Sequence, residues 1–438
     1  MADIISGKSR FGNGNQMSNK KLNVDFNNSG AVDDDDSVEV SGSDTDNERE
    51  FSSEELEQDV EKKIKRYRRN VAIVGFALIL FTVAVIAVTV NIVDGITYSG
   101  YAVTGSVNCD DSESTRYISY LDGYIKYSND GVSYVNAKGV SVWNQTVSMQ
   151  NPQIKICEEA AAVGDINGSK IYVFNKSGPL GAIDTSLAIS QIEVAKQGVV
   201  AAVLEDNDAN YINMYNVDGT KIYSVKTSLS GDGYPLDISI SDDATKLMAS
   251  YIYVSGETIK TNVVFYNFSD VGKNETERVV GGFNHYDSTI VGDVKFVNKN
   301  TAVAVGENII SIYSIKEYPK LAKEIAVNSE IERVFFASSY IGLVLNNSDS
   351  GDIYRLVLYN LSGDKVCETT FNTQYDDIQI DGKSIVMYNS NGFTVMNFKG
   401  KVLADIKVEM PLENIITKGT RGSYVLVNSK YIQNIKLK

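Results

Sequence analysis

The sequence predicts an all-β protein: a β-propeller of four-stranded blades, eight favoured and seven next. One transmembrane helix and a disordered N-terminal tail precede it. Three observations predict this. Residues 71–93 form a run without a charge. Residues 1–70 are polar, acidic and basic by turns. Beyond residue 94 one turn motif recurs at the spacing of propeller blades.

The apolar run reads VAIVGFALILFTVAVIAVTVNIV, and 15 of its residues are Val, Ile, Leu or Phe. That composition corresponds to roughly −5 to −9 kcal/mol of insertion free energy before the costs of Thr82, Thr89 and Asn91. As a helix it is long enough for a hydrocarbon core of about 30 Å. A buried soluble helix seldom runs so long without a polar face. A cleaved signal peptide has a shorter apolar region, about 7–15 residues, near the N-terminus. The Ala84–Ala87 spacing is a poor cleavage site, so an uncleaved anchor is expected. Lys62, Lys63, Lys65, Arg66, Arg68 and Arg69 crowd one flank and Asp94 opens the other. Positive charge marks the cytoplasmic side. The expected topology is a single pass through the plasma membrane, N-terminus inside and the C-terminal domain extracytoplasmic.

Residues 1–53 have few large apolar side chains and include Asp33 to Asp36 in a row. Such a segment buries too little apolar surface to offset its chain entropy, so a disordered acidic cytoplasmic tail is expected. It is either a solvated lead-in or a docking and phosphorylation segment around Ser37, Ser41, Ser43, Thr45, Ser52 and Ser53. Ser52 or Ser53 then caps a charged juxtamembrane helix over 54–70. The membrane helix covers 71–93 and the propeller 94–438.

The net charge is −15, and residues 1–70 carry 11 basic and 16 acidic side chains. The part beyond the membrane is therefore acidic, which speaks against nucleic acid as a partner. Three cysteines, Cys109, Cys157 and Cys367, do not make a disulfide framework. Abundant Asn, Ile, Lys and Tyr suit an AT-rich bacterial genome.

The repeat is an apolar strand, an aromatic or apolar residue, Asn, two residues, then often Gly. It occurs at Asn136, Asn175, Asn216, Asn267, Ser314, Asn360 and Asn397, with a degenerate copy at Asn434. The intervals are about 37–51 residues, in the range of propeller blades. Asn starts a tight turn through its side chain, and Gly supplies a positive φ. Each copy is thus a hairpin, and two strands precede it. In the third unit these four strands are ISQIEVAKQ, GVVAAVLED, YINMYNVDG and TKIYSVKTS. Second strands such as AAAVG (160–164), VVAAVL (199–204) and TAVAVG (301–306) are apolar runs, as expected for strands covered on both faces. The last unit stops after three strands. Its fourth is expected from Tyr98–Val107, which would close the ring and remove the open edge.

DISISDDATKLMASY (237–251) resembles the first hairpin of WD40-like and TolB-like blades, and LYNLSGDKVCE (358–368) is similar to the turn of pyrroloquinoline-quinone-type repeats. Over residues 71–438 the layout resembles an uncharacterised family of bacterial single-pass proteins with an extracytoplasmic propeller. The resemblance implies the fold and leaves the ligand open.

No catalytic constellation emerges, and no catalytic, cofactor-binding or metal residue is assigned. Trp143 is the single Trp and no Cys pair is adjacent, which argues against quinone redox chemistry. His285 is the single histidine, which excludes a His-based zinc site and argues against a Ser-His-Asp triad. It is expected at the wet end of a blade. Asp165-Ile-Asn167-Gly168-Ser169 has oxygen ligands before a Gly, faintly like a calcium loop, but is equally a good turn. Asp206-Asn207-Asp208 and Asn346-Asn347-Ser348-Asp349 are read as turns. No phosphate-binding or dinucleotide motif is present. The expected role is non-enzymatic: a binding or scaffold module at the cell envelope, with no cofactor. A protein or glycan would dock at rim loops or the channel mouth, and the irregular stretches Ser269–Tyr286 and Asn346–Asp352 are the candidate loops. A transmembrane sensor and an envelope hydrolase or lyase are the alternatives.

Overall fold

The computed structural model describes residues 53–109, 111–112, 114–286, 289–337, 339–347 and 351–438. The chain divides into two units, 1–81 and 82–438. The expectations for residues 1–52 (disorder, phosphorylation sites and a cap at Ser52) lie outside the described residues.

Helix α1 runs without interruption over Ser53–Asp94. The charged and apolar segments form one helix, because no Pro breaks the run and Gly75 alone is insufficient. Val71, Ile73, Phe76, Leu78, Ile79, Leu80 and Phe81 are all exposed. They occupy every side of the helix, so this is no amphipathic stripe. By length and composition the helix can cross a membrane. The Thr89 hydroxyl donates to the backbone carbonyls of Val85 and Ile86, which satisfies it within the helix.

The second unit holds eight four-stranded antiparallel sheets. Blades 1 to 7 cover residues 116–146, 152–184, 188–228, 234–286, 291–326, 331–371 and 377–407, each with its strands in sequence order. Blade 8 takes three strands from residues 412–437 and its fourth from Tyr101–Asn108. That fourth strand pairs antiparallel with Tyr431–Leu437, from Tyr101 opposite Leu437 to Asn108 opposite Tyr431. The ring is therefore closed by the two ends of the domain, as expected, three residues later than the predicted start.

The Asn motif joins the third and fourth strands of a blade. Asn360 Oδ1 accepts from the Ser362 and Asp364 amides, both at 2.9 Å, and Gly363 sits at φ +81°. Asn136 and Asn397 make the same bonds, and Gly139 and Gly400 take the same left-handed conformation. Pairing slips by one residue just before each of these turns, between Tyr134 and Val135, Leu358 and Tyr359, and Val395 and Met396. This is a type I turn followed by a glycine bulge. Asn434 is a correction: it lies inside its strand, opposite Gly105, because the hairpin it would have started is replaced by the N-terminal strand.

Core packing explains the apolar runs. Eight hydrophobic clusters form, one at each blade interface. In the second strand of blade 2, Ala160 and Ala162 pack toward blade 3, whereas Ala161 and Val163 pack toward blade 1. In blade 3, Val200, Ala202 and Leu204 face blade 2, and Ala201 and Val203 face blade 4. Strict alternation thus persists, but both sides are buried. Each fully buried Val or Leu contributes about 1.5–3 kcal/mol, so these strands carry much of the hydrophobic stabilisation. Fourth strands such as Pro319–Ala326 and Tyr101–Asn108 are mostly exposed and form the outer rim.

Candidate binding site in the channel

First strands lie nearest the axis, and their inner edges have no neighbouring strand. The backbone groups along those edges need partners. Polar side chains of the adjacent blade supply them. Gln191 Nε2 donates to Leu236 O at 2.7 Å, joining blades 3 and 4. Asp237 Oδ2 and Ser239 Oγ accept the Val294 and Phe296 amides at 2.7 and 2.9 Å, joining blades 4 and 5. Arg333 donates to Asp376 O at 3.1 Å and pairs with Asp377. Gln379 Nε2 reaches Ile415 O at 2.8 Å, and Asn414 Nδ2 reaches Tyr117 O at 3.1 Å across the closing interface. In blades 3, 4, 5, 6 and 8 the first strand slips register just before Gln191, Asp237, Asp293, Arg333 and Asn414 respectively. A bulge re-aims the following side chain. In four of these strands that residue is an inter-blade tether; in the fifth it is Asp293.

On one side of the ring the first strands also carry a charged cluster. Glu193 is 6 % exposed and pairs with Lys155 at 2.5 Å and with Lys295 at 3.5 Å. These three residues come from blades 3, 2 and 5, so the pairing crosses the innermost strand of blade 4. Asp237 and Asp293 complete the cluster. Burial pushes the Asp237 carboxyl up to about 7; the Val294 amide and Lys155 oppose this, and Glu193 and Asp293 add to it. Burial also raises the Asp293 carboxyl, against the pull of Lys155. For Lys155 the order is reversed: burial lowers its ammonium, but Glu193, Asp237 and Asp293 more than offset this and hold it above the usual lysine range. The cluster is thus a set of two ammonium groups and three carboxyls that changes charge near neutral pH. A carboxyl also raised in a cleft is a functional-site signal, although ion-pair networks give the same signal.

The residues singled out in the sequence do not converge here. Asp165 is 8 % exposed and its Oδ1 accepts the Gln150 and Asn151 amides at 2.8 and 2.7 Å, so DINGS is a turn whose acid braces the preceding loop. Asp206 accepts the Asn207 amide in another turn. Among the described residues no group of three or more His, Cys, Asp or Glu is placed to hold a metal. His285 lies exposed in the rim strand of blade 4, its Nε2 2.7 Å from Glu324 of blade 5. Trp143 stacks on Phe174 with centroids 5.0 Å apart. All three cysteines are free. The stretch Ser269–Tyr286 is less irregular than expected: two single turns span 272–278, and Val279–Tyr286 is the fourth strand of blade 4. In the second irregular stretch Ser348 and Asp349 lie outside the described residues, and Asn347 Nδ2 donates to Asp352 O at 3.0 Å.

Sequence reading missed the Lys155–Glu193–Lys295 cluster and the inter-blade tethers. Each is one polar residue in an otherwise ordinary strand, and no local pattern brings blades 2, 3 and 5 together. One available signal was a polar residue at equivalent places in successive first strands.

A ring of eight four-stranded blades closed by its own N-terminal strand defines a β-propeller, and its structural neighbours include WD40 propellers. Residues 94–437 match a family of unknown function, DUF5711, and the chain belongs to that family. No curated protein matches it in sequence. Chaetomium thermophilum Sqt1, solved bound to the N-terminus of the ribosomal protein L10, is similar at 7% identity and TM-score 0.50, over 78% of this chain and all of that one (100%). The Neurospora crassa Pan2 WD40 domain is similar at 11% identity and TM-score 0.39, over 65% of this chain and 88% of that one. Kuenenia stuttgartiensis hydrazine synthase, an enzyme, is similar at 12% identity and TM-score 0.39, over 75% and 96%. These likenesses concern the fold. The family assignment indicates no enzymatic family.

Proposed function

We propose that the protein is a membrane-anchored, non-enzymatic binding or scaffold module whose propeller acts outside the cytoplasm at the cell envelope. Residues 71–93 cross the membrane, residues 1–70 are cytoplasmic, and residues 94–438 are extracytoplasmic. The observation that carries anchoring is the helix with exposed Val, Ile, Leu and Phe on all sides. Water would oppose that exposure by about 25 cal/mol per Å² of apolar surface, whereas lipid would not. The binding role rests on the propeller and on its charged channel cluster; rim loops and channel mouths are where propellers take ligands. A protein or glycan of the envelope is the expected partner, and nucleic acid is disfavoured by the acidic charge.

One observation favours a second reading, a relay of ligand occupancy to the tail. Asp94 and Gly95 are tied down: Asp94 O accepts from Asn397 Nδ2 at 3.0 Å, Asp94 pairs with Arg421 at 3.1 Å, and Gly95 O accepts from Lys401 at 2.6 Å. A change between blades 7 and 8 would reach these residues directly.

In-cell crosslinking of the tagged full-length protein, followed by mass spectrometry, tests the first reading. It expects a reproducible envelope component crosslinked to propeller lysines; crosslinks confined to the tail would support the relay instead. Protease added to intact cells must spare residues 1–70, and cleavage there with an intact propeller would reverse the topology.

A further inference from the structure

A cavity of about 420 Å³ opens between blades 3 and 4, away from the channel cluster. Its size lies within the roughly 300–1,000 Å³ of small-molecule sites. Tyr251 and Tyr266 line it, 2 % and 3 % exposed, with their hydroxyls 2.8 Å apart. Two phenols carry two hydrogens, and one is used between them. Neither hydroxyl has another partner among the described residues. One buried O–H is therefore left without an acceptor, which costs free energy unless something in the cavity supplies one. Burial holds both phenols well above their ordinary range, so they stay protonated donors.

Around this donor stand groups of complementary chemistry. Glu277 presents a carboxylate, Asp232 another whose Oδ2 already accepts from the Ser228 amide and hydroxyl, Asn262 an amide and Lys226 an ammonium. The nearby Arg278 is engaged elsewhere: it lies over the Tyr223 ring at 5.3 Å and faces the Phe268 and Ser269 carbonyls. Arg278 is bonded only to neutral groups and keeps its charge, so the surroundings are close to neutral overall; within the lining itself two carboxylates stand against one ammonium and offer acceptors to an amine. The carboxylates accept from hydroxyl or ammonium donors, the free phenol hydrogen goes to a ligand oxygen, and Asn262 can do either.

We propose that this inter-blade cavity binds a small hydroxylated amine of monosaccharide size, an amino-sugar unit. The inference rests on the reading of the propeller as a binding module and names a ligand class for it. It is independent of whether a protein partner is found by crosslinking.

The test is titration calorimetry of the full chain in a zwitterionic detergent without a sugar headgroup. Glucosamine is the probe and gluconate, its anionic counterpart in size, the comparator. Saturable glucosamine binding with at least tenfold weaker gluconate binding is expected. The double variant Tyr251→Phe, Tyr266→Phe keeps both rings, removes both hydroxyls and should weaken glucosamine about fivefold or more, the effect of one hydrogen bond. Glu277→Gln, on an exposed loop and unable to disturb the core, should do the same. Glu324→Gln, at the blade 4–5 rim, should bind like the parent. Absence of saturable glucosamine binding would overturn the proposal. So would parent-like binding by Glu277→Gln, or gluconate binding as tight as glucosamine.

Discussion

The polar residues of the first strands act one at a time. Asp237 is the clearest. Its folded-state carboxyl titrates at about 7, against 3.8 in an unstructured chain. Folding therefore takes up a proton between those values, and stability from this group falls as pH rises from about 4 to 7, then levels off. Asp237→Asn keeps an oxygen for the Val294 amide and cannot ionise. It should melt at a higher temperature than the parent at pH 8, by a smaller margin at pH 5, and at nearly the same temperature below about pH 4. An equal difference at all three pH values would show that Asp237 is not held protonated. Gly363 illustrates the other residue-scale constraint. Its φ of +81° is one that L side chains avoid, and a Cβ there would meet Lys323 Cγ at 2.5 Å. The Asn-x-x-Gly pattern was legible because turn chemistry is local. The tethers were not, because a lone Gln or Asp acquires its meaning from the edge of another blade.

Each blade is secured to the next by an apolar cluster and, at most interfaces, by side-chain bonds to the open strand edge. Gln379 isolates the second contribution. Replacing it with Met keeps its length and leaves Ile415 O without its donor, which should cost about 1–3 kcal/mol if the carbonyl stays dry. Chemical denaturation of the full chain measures it; no loss would mean that water satisfies the edge equally well. The elements themselves were largely legible. The third unit was read as four strands, and blade 3 has those four. Small apolar second strands signalled burial on both faces. The charged stretch over 54–70 and the apolar one over 71–93 differ in composition, and one helix, Ser53–Asp94, runs through both.

Closure is a property of the whole molecule. The fourth strand of blade 8 comes from the start of the domain, so residues more than 300 apart in sequence pair along its length. The seam also has its own apolar cluster, in which Tyr117, Tyr124 and Val135 of blade 1 meet Ile416, Val425 and Val427 of blade 8. A protease site inserted between Asp111 and Ser112 would cut the chain between this strand and blade 1. The strand should remain bound to the nicked ring through gel filtration under native conditions and separate only in denaturant. Release without denaturant would mean that the seam depends on covalent continuity.

What the sequence determined by itself was periodic or local. The uncharged run, the Asn-Gly turns, the paired-face apolar strands and the missing last strand point to a closed ring, eight blades favoured over seven, behind an apolar helix, since each follows from hydrophobicity, strand alternation or backbone sterics. What the tertiary structure alone decided was proximity across blades. It placed Lys155, Glu193 and Lys295 together, set Gln191 and Asn414 against neighbouring strand edges, and paired the Tyr251 and Tyr266 hydroxyls beside the cavity between blades 3 and 4. Such contacts join residues tens to hundreds of positions apart. Their chemistry depends on distance and burial, which ring closure fixes and no stretch of sequence contains.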